Sequence, residues 1–182
     1  MADNAVIFPA PGEKEQWLLV FGSRTLAGYE WPYFAISGAT DGPTLGLIAG
    51  VHGAEYPPIE AVMQCCRTLD SATLRGRIVA VPVVNLPAFW GRTPFVCPND
   101  GKNPNRVFPG DPNGTFSEAL AFHLCEAVIR RGHYLLATGA PTTRRCPGAA
   151  TRRTSSSSHR HGLGSSVAEA RPACPPSRSE SR

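Results

Sequence analysis

One series of elements in the middle of the chain constrains its fold more than any other feature: a strand, a tight loop, a helix and a second strand. Residues 45–49 are a continuous apolar run, typical of a strand buried on both faces of a parallel sheet. Pro57 and Pro58 suit the first turn of a helix, where a missing N–H costs nothing, and residues 59–69 continue with helical spacing. Residues 77–84 form the next apolar run. Such a unit needs a parallel crossover, so we predict an α/β fold with a mainly parallel sheet flanked by helices.

The tight loop of this unit carries a histidine and a glutamate three residues apart, His52 and Glu55. The loop follows a buried strand, and α/β folds bind ligands outside the carboxyl ends of their strands. Gly50 and Gly53 let the backbone fold closely, so that both side chains can turn toward one ion. Zinc accepts His nitrogen and carboxylate oxygen, and a catalytic zinc needs three protein ligands and an open position. We predict that His52 and Glu55 bind a metal; a surface pair without a metal is the alternative.

A second group of polar residues lies in a long loop, residues 85–114, that is rich in Pro, Gly and Asn. Loops of this length in compact domains are usually functional or disordered. The Arg106 guanidinium is a planar fork that matches a carboxylate, and the neighbouring Asn105 adds a second donor. These two residues are therefore candidates for a clamp on an acidic group of a substrate, but taken in isolation the segment favours the alternative, a turn-rich loop with a structural Arg. Arg92 lies in the same loop and, taken alone, is a solvated charge.

The sequence divides into three parts. Residues 1–24 are a lead-in region with a first apolar run, and residues 25–136 form the α/β domain. A capping box at residues 115–118 opens a helix near 116–131, and a further strand should begin at residue 133. Residues 137–182 have no period of two or 3.6 and consist largely of Arg, Ser, Pro, Ala and Gly. Because such a segment buries too little apolar surface to offset its ordering entropy, we predict that residues 140–182 are disordered.

The charge and cysteine content exclude several classes of protein. The formal net charge of +4 reflects arginines of the last quarter of the chain, so it does not indicate a nucleic-acid groove. These are Arg144, Arg145, Arg152, Arg153, Arg160, Arg171, Arg178 and Arg182.

No apolar run approaches the roughly 20 residues of a membrane span, and no signal peptide precedes the domain, so we expect a cytoplasmic protein without membrane contact. The six cysteines form no CxxC pairs, which favours reduced thiols over a zinc ribbon or a disulfide scaffold.

Two motifs in this order resemble a known family. Gly50-Val51-His52-Gly53-Ala54-Glu55, followed by Asn103-Pro104-Asn105-Arg106-Val107-Phe108-Pro109-Gly110, is similar to the succinylglutamate desuccinylase and aspartoacylase family. The resemblance covers about residues 25–136 and is much more specific than either motif alone. It implies a zinc carboxypeptidase-like fold and hydrolysis of the amide bond of a small N-acyl amino acid, or of an ester, by metal-activated water.

The resemblance also implies roles for five residues of this chain. His52 and Glu55 would bind Zn²⁺, and Asn105 and Arg106 would hold the substrate carboxylate. Arg92 would contact the same carboxylate. A small-molecule N-acyl amino acid is the expected partner.

The chain departs from the family pattern after about residue 136. In this family, the strand that follows the capped helix ends in an Asp-Leu-His-like sequence whose His is the third zinc ligand, and here Gly139 stands in its place. The general-base Glu and the C-terminal β domain are not recognised either, so no catalytic residue is assigned. His133, His159 and His161 offer no clear substitute. We therefore keep the hypothesis of a truncated or frameshifted, catalytically inactive fragment that binds metal weakly at most.

Overall fold

The computed structural model describes residues 6–138. The expectations for Gly139, for the histidines near residue 160 and for disorder in residues 140–182 lie outside the described residues.

A five-stranded sheet with the strand order β1-β2-β4-β3-β5 forms the centre of the fold. The strands are β1 (Lys14–Leu19), β2 (Trp31–Ser37), β3 (Thr40–Ile48), β4 (Arg75–Val81) and β5 (Tyr134–Ala137). The helices are α1 (Tyr56–Thr68), α2 (Leu86–Gly91) and α3 (Phe116–Leu124), which continues as a π-helical turn (Cys125–Ile129). Short 3-10 turns span Arg24–Leu26 and Pro104–Arg106.

The predicted strand, helix, strand unit is confirmed as β3, α1 and β4. These two strands pair in parallel, with Leu45 opposite Ile78, and β5 pairs in parallel on the other side of β3. The α/β class is confirmed, but the sheet is mixed, because β2 is antiparallel to both β1 and β4. The reason is a short turn between Ser37 and Thr40, which reverses the chain before β4 inserts between β2 and β3.

Apolar side chains cover both faces of the sheet. On one face α1 packs Ile59 and Val62 against Phe34 and Ile36 of β2, with all four residues at most 8% exposed. On the other face, side chains of α3 pack over Trp31, Val79 and Val81. The α3 residues are Ala119, Leu120, Leu124 and the adjoining Val128. Fully burying one large aliphatic or aromatic side chain stabilises a fold by about 1.5–3 kcal/mol, so these two layers hold the sheet between helices.

Strand β1 forms one edge of the sheet and is tied to the end of α1. The Lys14 Nζ donates to the carbonyls of Arg67 at 2.5 Å and Leu69 at 2.9 Å. These carbonyls belong to the last turn of the helix, which carries the negative end of the helix dipole. A lysine of the edge strand therefore caps the C-terminal end of α1, at carbonyls more than 50 residues later in the chain.

The long loop predicted between β4 and α3 contains regular structure. Helix α2 has only six residues, too few for a hydrophobic period to reveal it, and Asn85 caps it by accepting the N–H of Ala88 at 3.2 Å. The capping box at Thr115 is confirmed: Glu118 Oε2 accepts the Thr115 N–H at 2.9 Å. No helix within residues 6–138 is long and apolar enough to cross a membrane, and the four cysteines in that range are free thiols.

The glycine loop after β3 packs tightly against α2. A Cβ at Gly53 would lie 2.3 Å from the Ala88 carbonyl oxygen and 2.4 Å from that of Thr93, so only glycine fits. Asn85 is fully buried and its Nδ2 donates to the Val51 carbonyl at 3.3 Å. The loop is thus held against α2 by backbone proximity and by one buried amide.

Helix α3 also anchors the loop before it. The Lys102 Nζ lies 2.8 Å from Glu118 Oε1, and both groups are partly exposed. The Lys102 ammonium and the Thr115 N–H and hydroxyl lower the pKa of Glu118 to about 2. Since the folded-state pKa is below the ordinary value near 4.5, the ionised carboxylate stabilises the fold above that pH, and the contribution is lost as the pH falls toward about 2.

Gly53→Ala should destabilise the protein by about 1–3 kcal/mol, because its methyl group overlaps two carbonyl oxygens of a packed segment. Gly91→Ala is the matched control, since a Cβ there meets nothing closer than 3.8 Å, and it should change the free energy of unfolding by less than about 0.5 kcal/mol. Urea denaturation of the two variants measures the difference. Equal stabilities would show that the loop does not pack on α2 as described.

Glu118→Gln should lower the free energy of unfolding at pH 7, and the difference from the wild type should shrink as the pH falls from 4.5 toward 2. Glu126→Gln removes a carboxylate of the same helix that pairs with Arg130 at 2.8 Å on the exposed surface, so it should change stability little. Denaturation at pH 7, 4 and 2.5 tests both variants. A Glu118→Gln effect independent of pH would contradict this assignment.

Candidate functional site

The loops that follow β3 and β4 meet at the carboxyl edge of the two parallel strands. The backbone N–H groups of Val84 and Asn85 donate to the carbonyls of Ala49 at 3.0 Å and Gly50 at 2.9 Å. These hydrogen bonds continue the pairing of the two segments beyond the ends of strands β3 and β4. His52 and Glu55 follow directly in the first loop, at the edge where parallel α/β sheets bind ligands.

His52 and Glu55 form a hydrogen-bonded pair. The His52 Nδ1 lies 2.7 Å from Glu55 Oε1, and the His52 backbone N–H donates to Glu55 Oε2 at 3.3 Å. Their side chains are only 12% and 16% exposed. Glu55 is the N-cap residue of α1, which explains how the two residues reach each other: the chain turns sharply just before the helix begins.

The other ring nitrogen of His52 faces two asparagines of the second predicted motif. Its Nε2 lies 3.1 Å from Asn103 Oδ1 and 3.2 Å from Asn105 Nδ2. One nitrogen cannot donate to the first and accept from the second at once, so the protonation of His52 selects between these partners. Asn103 Oδ1 also accepts the Asn105 N–H at 3.0 Å, which keeps the two asparagines in a fixed relation.

The surroundings of His52 favour its protonated form. The hydrogen bond that His52 donates to Glu55 raises the pKa of His52. Burial lowers it and the hydrogen bond to Asn103 raises it further, so the net direction is upward. In the imidazolium form, Nδ1–H donates to Glu55 and Nε2–H donates to Asn103. The positive charge of Arg106 lowers the pKa of His52, which means that the guanidinium lies within electrostatic reach of the ring.

Asp100 holds the segment that carries these asparagines. Its carboxylate accepts the Ser117 backbone N–H at 2.7 Å, the Ser117 hydroxyl at 2.9 Å and the Lys102 N–H at 3.1 Å. Burial raises the pKa of Asp100, but these hydrogen bonds outweigh it and the pKa is lowered. Asp100 therefore fastens the start of the Asn-Arg segment to the first turn of α3, a role that the sequence motif did not indicate.

The predicted site residues differ in how directly the structure connects them. His52, Glu55 and Asn105 are in direct hydrogen-bonding contact, and Arg106 belongs to the same 3-10 turn as Asn105. Arg92 is exposed and ends α2 in the left-handed conformation, with a φ of 53°. Its neighbour Thr93 abuts Gly53, so the backbone at Arg92 passes beside the glycine loop.

Phe95 is a further residue of the site that the sequence did not single out. Its ring meets the His52 ring edge-on at a centroid distance of 5.9 Å, although 66% of Phe95 is exposed. A hydrogen bond of 3.0 Å from the Thr93 hydroxyl to the Val96 carbonyl shapes the turn that carries it. An apolar ring thus stands beside the polar pair, where it can contact the apolar part of a ligand.

The polar pair fits two positions of a zinc site. An imidazole nitrogen and a carboxylate oxygen that face each other are suitable donors, and Asn103 can hold the opposite ring nitrogen as outer partners of metal-bound histidines do. Among residues 6–138, however, no group of three His, Cys, Asp or Glu side chains lies together. His133 does not join the pair, because its Nδ1 accepts the Thr44 N–H at 2.9 Å near the start of β5. The described residues therefore offer two suitable donors for a zinc ion and not a third.

Comparison with known proteins agrees with this architecture. The profile of the succinylglutamate desuccinylase/aspartoacylase catalytic domain matches residues 41–132. The N-alpha-acetyl-L-2,4-diaminobutyric acid deacetylase of Halomonas elongata is 39% identical over 90 residues, which cover 49% of this chain and 26% of that protein.

Solved structures give the same result. A succinylglutamate desuccinylase/aspartoacylase from Rhodobacter sphaeroides superposes with a TM-score of 0.64 and 29% identity, covering 74% of this chain and 42% of that one. An aspartoacylase family protein from Mesorhizobium loti superposes with a TM-score of 0.66 and 28% identity, covering 75% and 43%. The chain spans less than half the length of these relatives. Because the catalytic-domain profile extends over half of its residues, the chain belongs to the succinylglutamate desuccinylase/aspartoacylase family.

Proposed function

We propose that the chain is the metal-binding and carboxylate-binding portion of a zinc-dependent deacylase that hydrolyses a small N-acyl amino acid at its amide bond, or an ester of similar shape. Family membership supports deacylase or amidohydrolase chemistry in general. The observation that carries the proposal is the pair of His52 Nδ1 and Glu55 Oε1, 2.7 Å apart, with Asn105 Nδ2 3.2 Å from the other ring nitrogen.

In this proposal His52 and Glu55 are zinc donors. Zinc, when bound, acts as a Lewis acid and lowers the pKa of a coordinated water toward about 7. For His52 to serve as a donor, its Nδ1 gives up the proton that it shares with Glu55. Its Nε2–H then donates to Asn103 Oδ1, which fixes the ring orientation. No general base is assigned within residues 6–138.

Asn105 and Arg106 orient the substrate. The Arg106 guanidinium is the group of this turn that can form a bidentate pair with a carboxylate, and Asn105 offers an amide donor beside it. Arg92 contributes a second positive charge from the segment next to the glycine loop. An N-acyl amino acid carries its α-carboxylate two bonds from the amide nitrogen, so a clamp adjacent to the donor pair suits this substrate class.

The curated relative supports the substrate class without defining the substrate. The name of that Halomonas elongata protein states that it deacetylates an N-acetylated amino acid. The apolar edge of Phe95 beside His52 is compatible with a short acyl group. We therefore propose N-acetyl amino acids as the first compounds to test.

His52→Ala and Glu55→Gln should each lower the affinity of the purified chain for Zn²⁺ at least tenfold, because each removes one of two adjacent donors. Glu60→Gln is the matched control: Glu60 is an exposed carboxylate of the first turns of α1 that accepts a hydrogen bond from Gln64. Competition with a chromophoric zinc chelator gives the affinities. Unchanged zinc affinity in both site variants would contradict the proposed donor pair.

Arg106→Ala should weaken binding of N-acetyl amino acids about 10- to 100-fold, because a charged hydrogen-bonding partner of the carboxylate is lost. The corresponding N-acetyl amino amides, which lack the carboxylate, should bind equally to both forms. Arg131→Ala removes an exposed arginine after α3 and serves as the control. Isothermal titration calorimetry measures these affinities without requiring turnover, and equal loss for acid and amide would argue against a carboxylate clamp.

A further inference from the structure

A pocket of about 330 Å³ lies apart from the His52–Glu55 pair, between β1, β2, α1 and α2. Its apolar walls include Phe34 of β2, Met63 of α1, and Phe89 and Trp90 of α2. None of the residues that form the candidate zinc and carboxylate site lines it. Its volume lies in the range of small-molecule pockets, which are lined mainly by apolar and aromatic side chains with a few polar groups.

The aromatic walls of this pocket are held in place by other rings. Trp90 is 62% exposed, yet it stacks on Tyr29 with a centroid distance of 5.9 Å and an interplanar angle of 16°. The Tyr29 hydroxyl in turn accepts a hydrogen bond of 2.9 Å from Asn99 Nδ2. Phe89 meets the ring of Tyr56 edge-on at 5.9 Å. Rings fixed in this way lose little conformational entropy when a ligand binds against them.

The charge of the lining has one sign. Among the described residues that line the pocket, Glu30 is the only ionisable one, and Gln16 adds an amide. Aromatic faces carry negative electrostatic potential and attract cations. The carboxylate and the three aromatic rings therefore favour the same kind of ligand.

We propose that this pocket binds a small organic ammonium ion, with its apolar body between Phe34, Phe89 and Trp90 and its charged nitrogen at Glu30. Charge complementarity selects a cation, and the size and apolarity of the walls select a compact aryl or alkyl group rather than a metal ion. The inference is independent of the proposed deacylase function, because it uses none of the residues assigned to that function.

The test compares 2-phenylethylammonium with 2-phenylethanol, a neutral molecule of nearly the same shape. Isothermal titration calorimetry on the full chain, with tryptophan fluorescence as a second signal, should show the cation binding at least fivefold more tightly. Glu30→Gln should bring the two affinities within about twofold of each other. Trp90→Ala should weaken both probes.

Two control variants establish whether binding takes place in this pocket. Glu13→Gln removes an exposed carboxylate that does not line the pocket, and it should leave the preference for the cation intact. His52→Ala should leave binding of both probes unchanged. Equal affinity of the two probes for the wild type, a preference that survives Glu30→Gln, loss of binding in His52→Ala, or no saturable binding would each overturn the proposal. A dimer in light scattering that Trp90→Ala dissociates would also overturn it, because a second copy would then cover the pocket.

Discussion

The close contact between the glycine loop and helix α2 is the constraint on which the candidate site depends. Gly53 approaches two carbonyl oxygens of the segment 88–93 so closely that no side chain fits there. The fully buried Asn85 completes the contact by donating to the loop and capping the helix. His52 and Glu55 lie within two residues of Gly53. Backbone packing at Gly53 therefore helps to set the direction of both side chains, in addition to the contacts that these side chains make themselves. The segment that contacts Gly53 continues to Phe95, whose ring meets the His52 ring edge-on at 5.9 Å.

Two loops form the site, and each loop is anchored to a different helix. The glycine loop rests on α2, whereas the Asn-Arg segment rests on the first turn of α3 through Asp100 and through the pair of Lys102 with Glu118. The two loops meet in direct hydrogen bonds at His52 Nε2, opposite Asn103 and Asn105. A displacement of either helix would therefore change the environment of one imidazole nitrogen.

The features that the sequence predicted are those with a local physical signal. The continuous apolar runs, the prolines of α1 and the capping box at Thr115 each reflect a constraint within a few residues, and the structure contains the corresponding elements. The spacing of His52 and Glu55 likewise sufficed to predict their proximity. Helix α2 was not predicted because six residues are too few to show a helical hydrophobic period. The roles of Asn103 and Asp100, and the antiparallel half of the sheet, depend on contacts between distant segments that no local pattern encodes.

The hydrogen bonds of Lys14 to the end of α1 also define how β1 can align with β2. Lys14 lies opposite Ile36 in the antiparallel pair, and in that alignment its ammonium reaches the carbonyls of Arg67 and Leu69. A slip of two residues keeps the same side chains on each face of the sheet but moves Lys14 by about 7 Å, beyond hydrogen-bonding distance. The distribution of side chains between the two faces of the sheet therefore permits several registers of this edge strand. The hydrogen bonds of Lys14 select one of them.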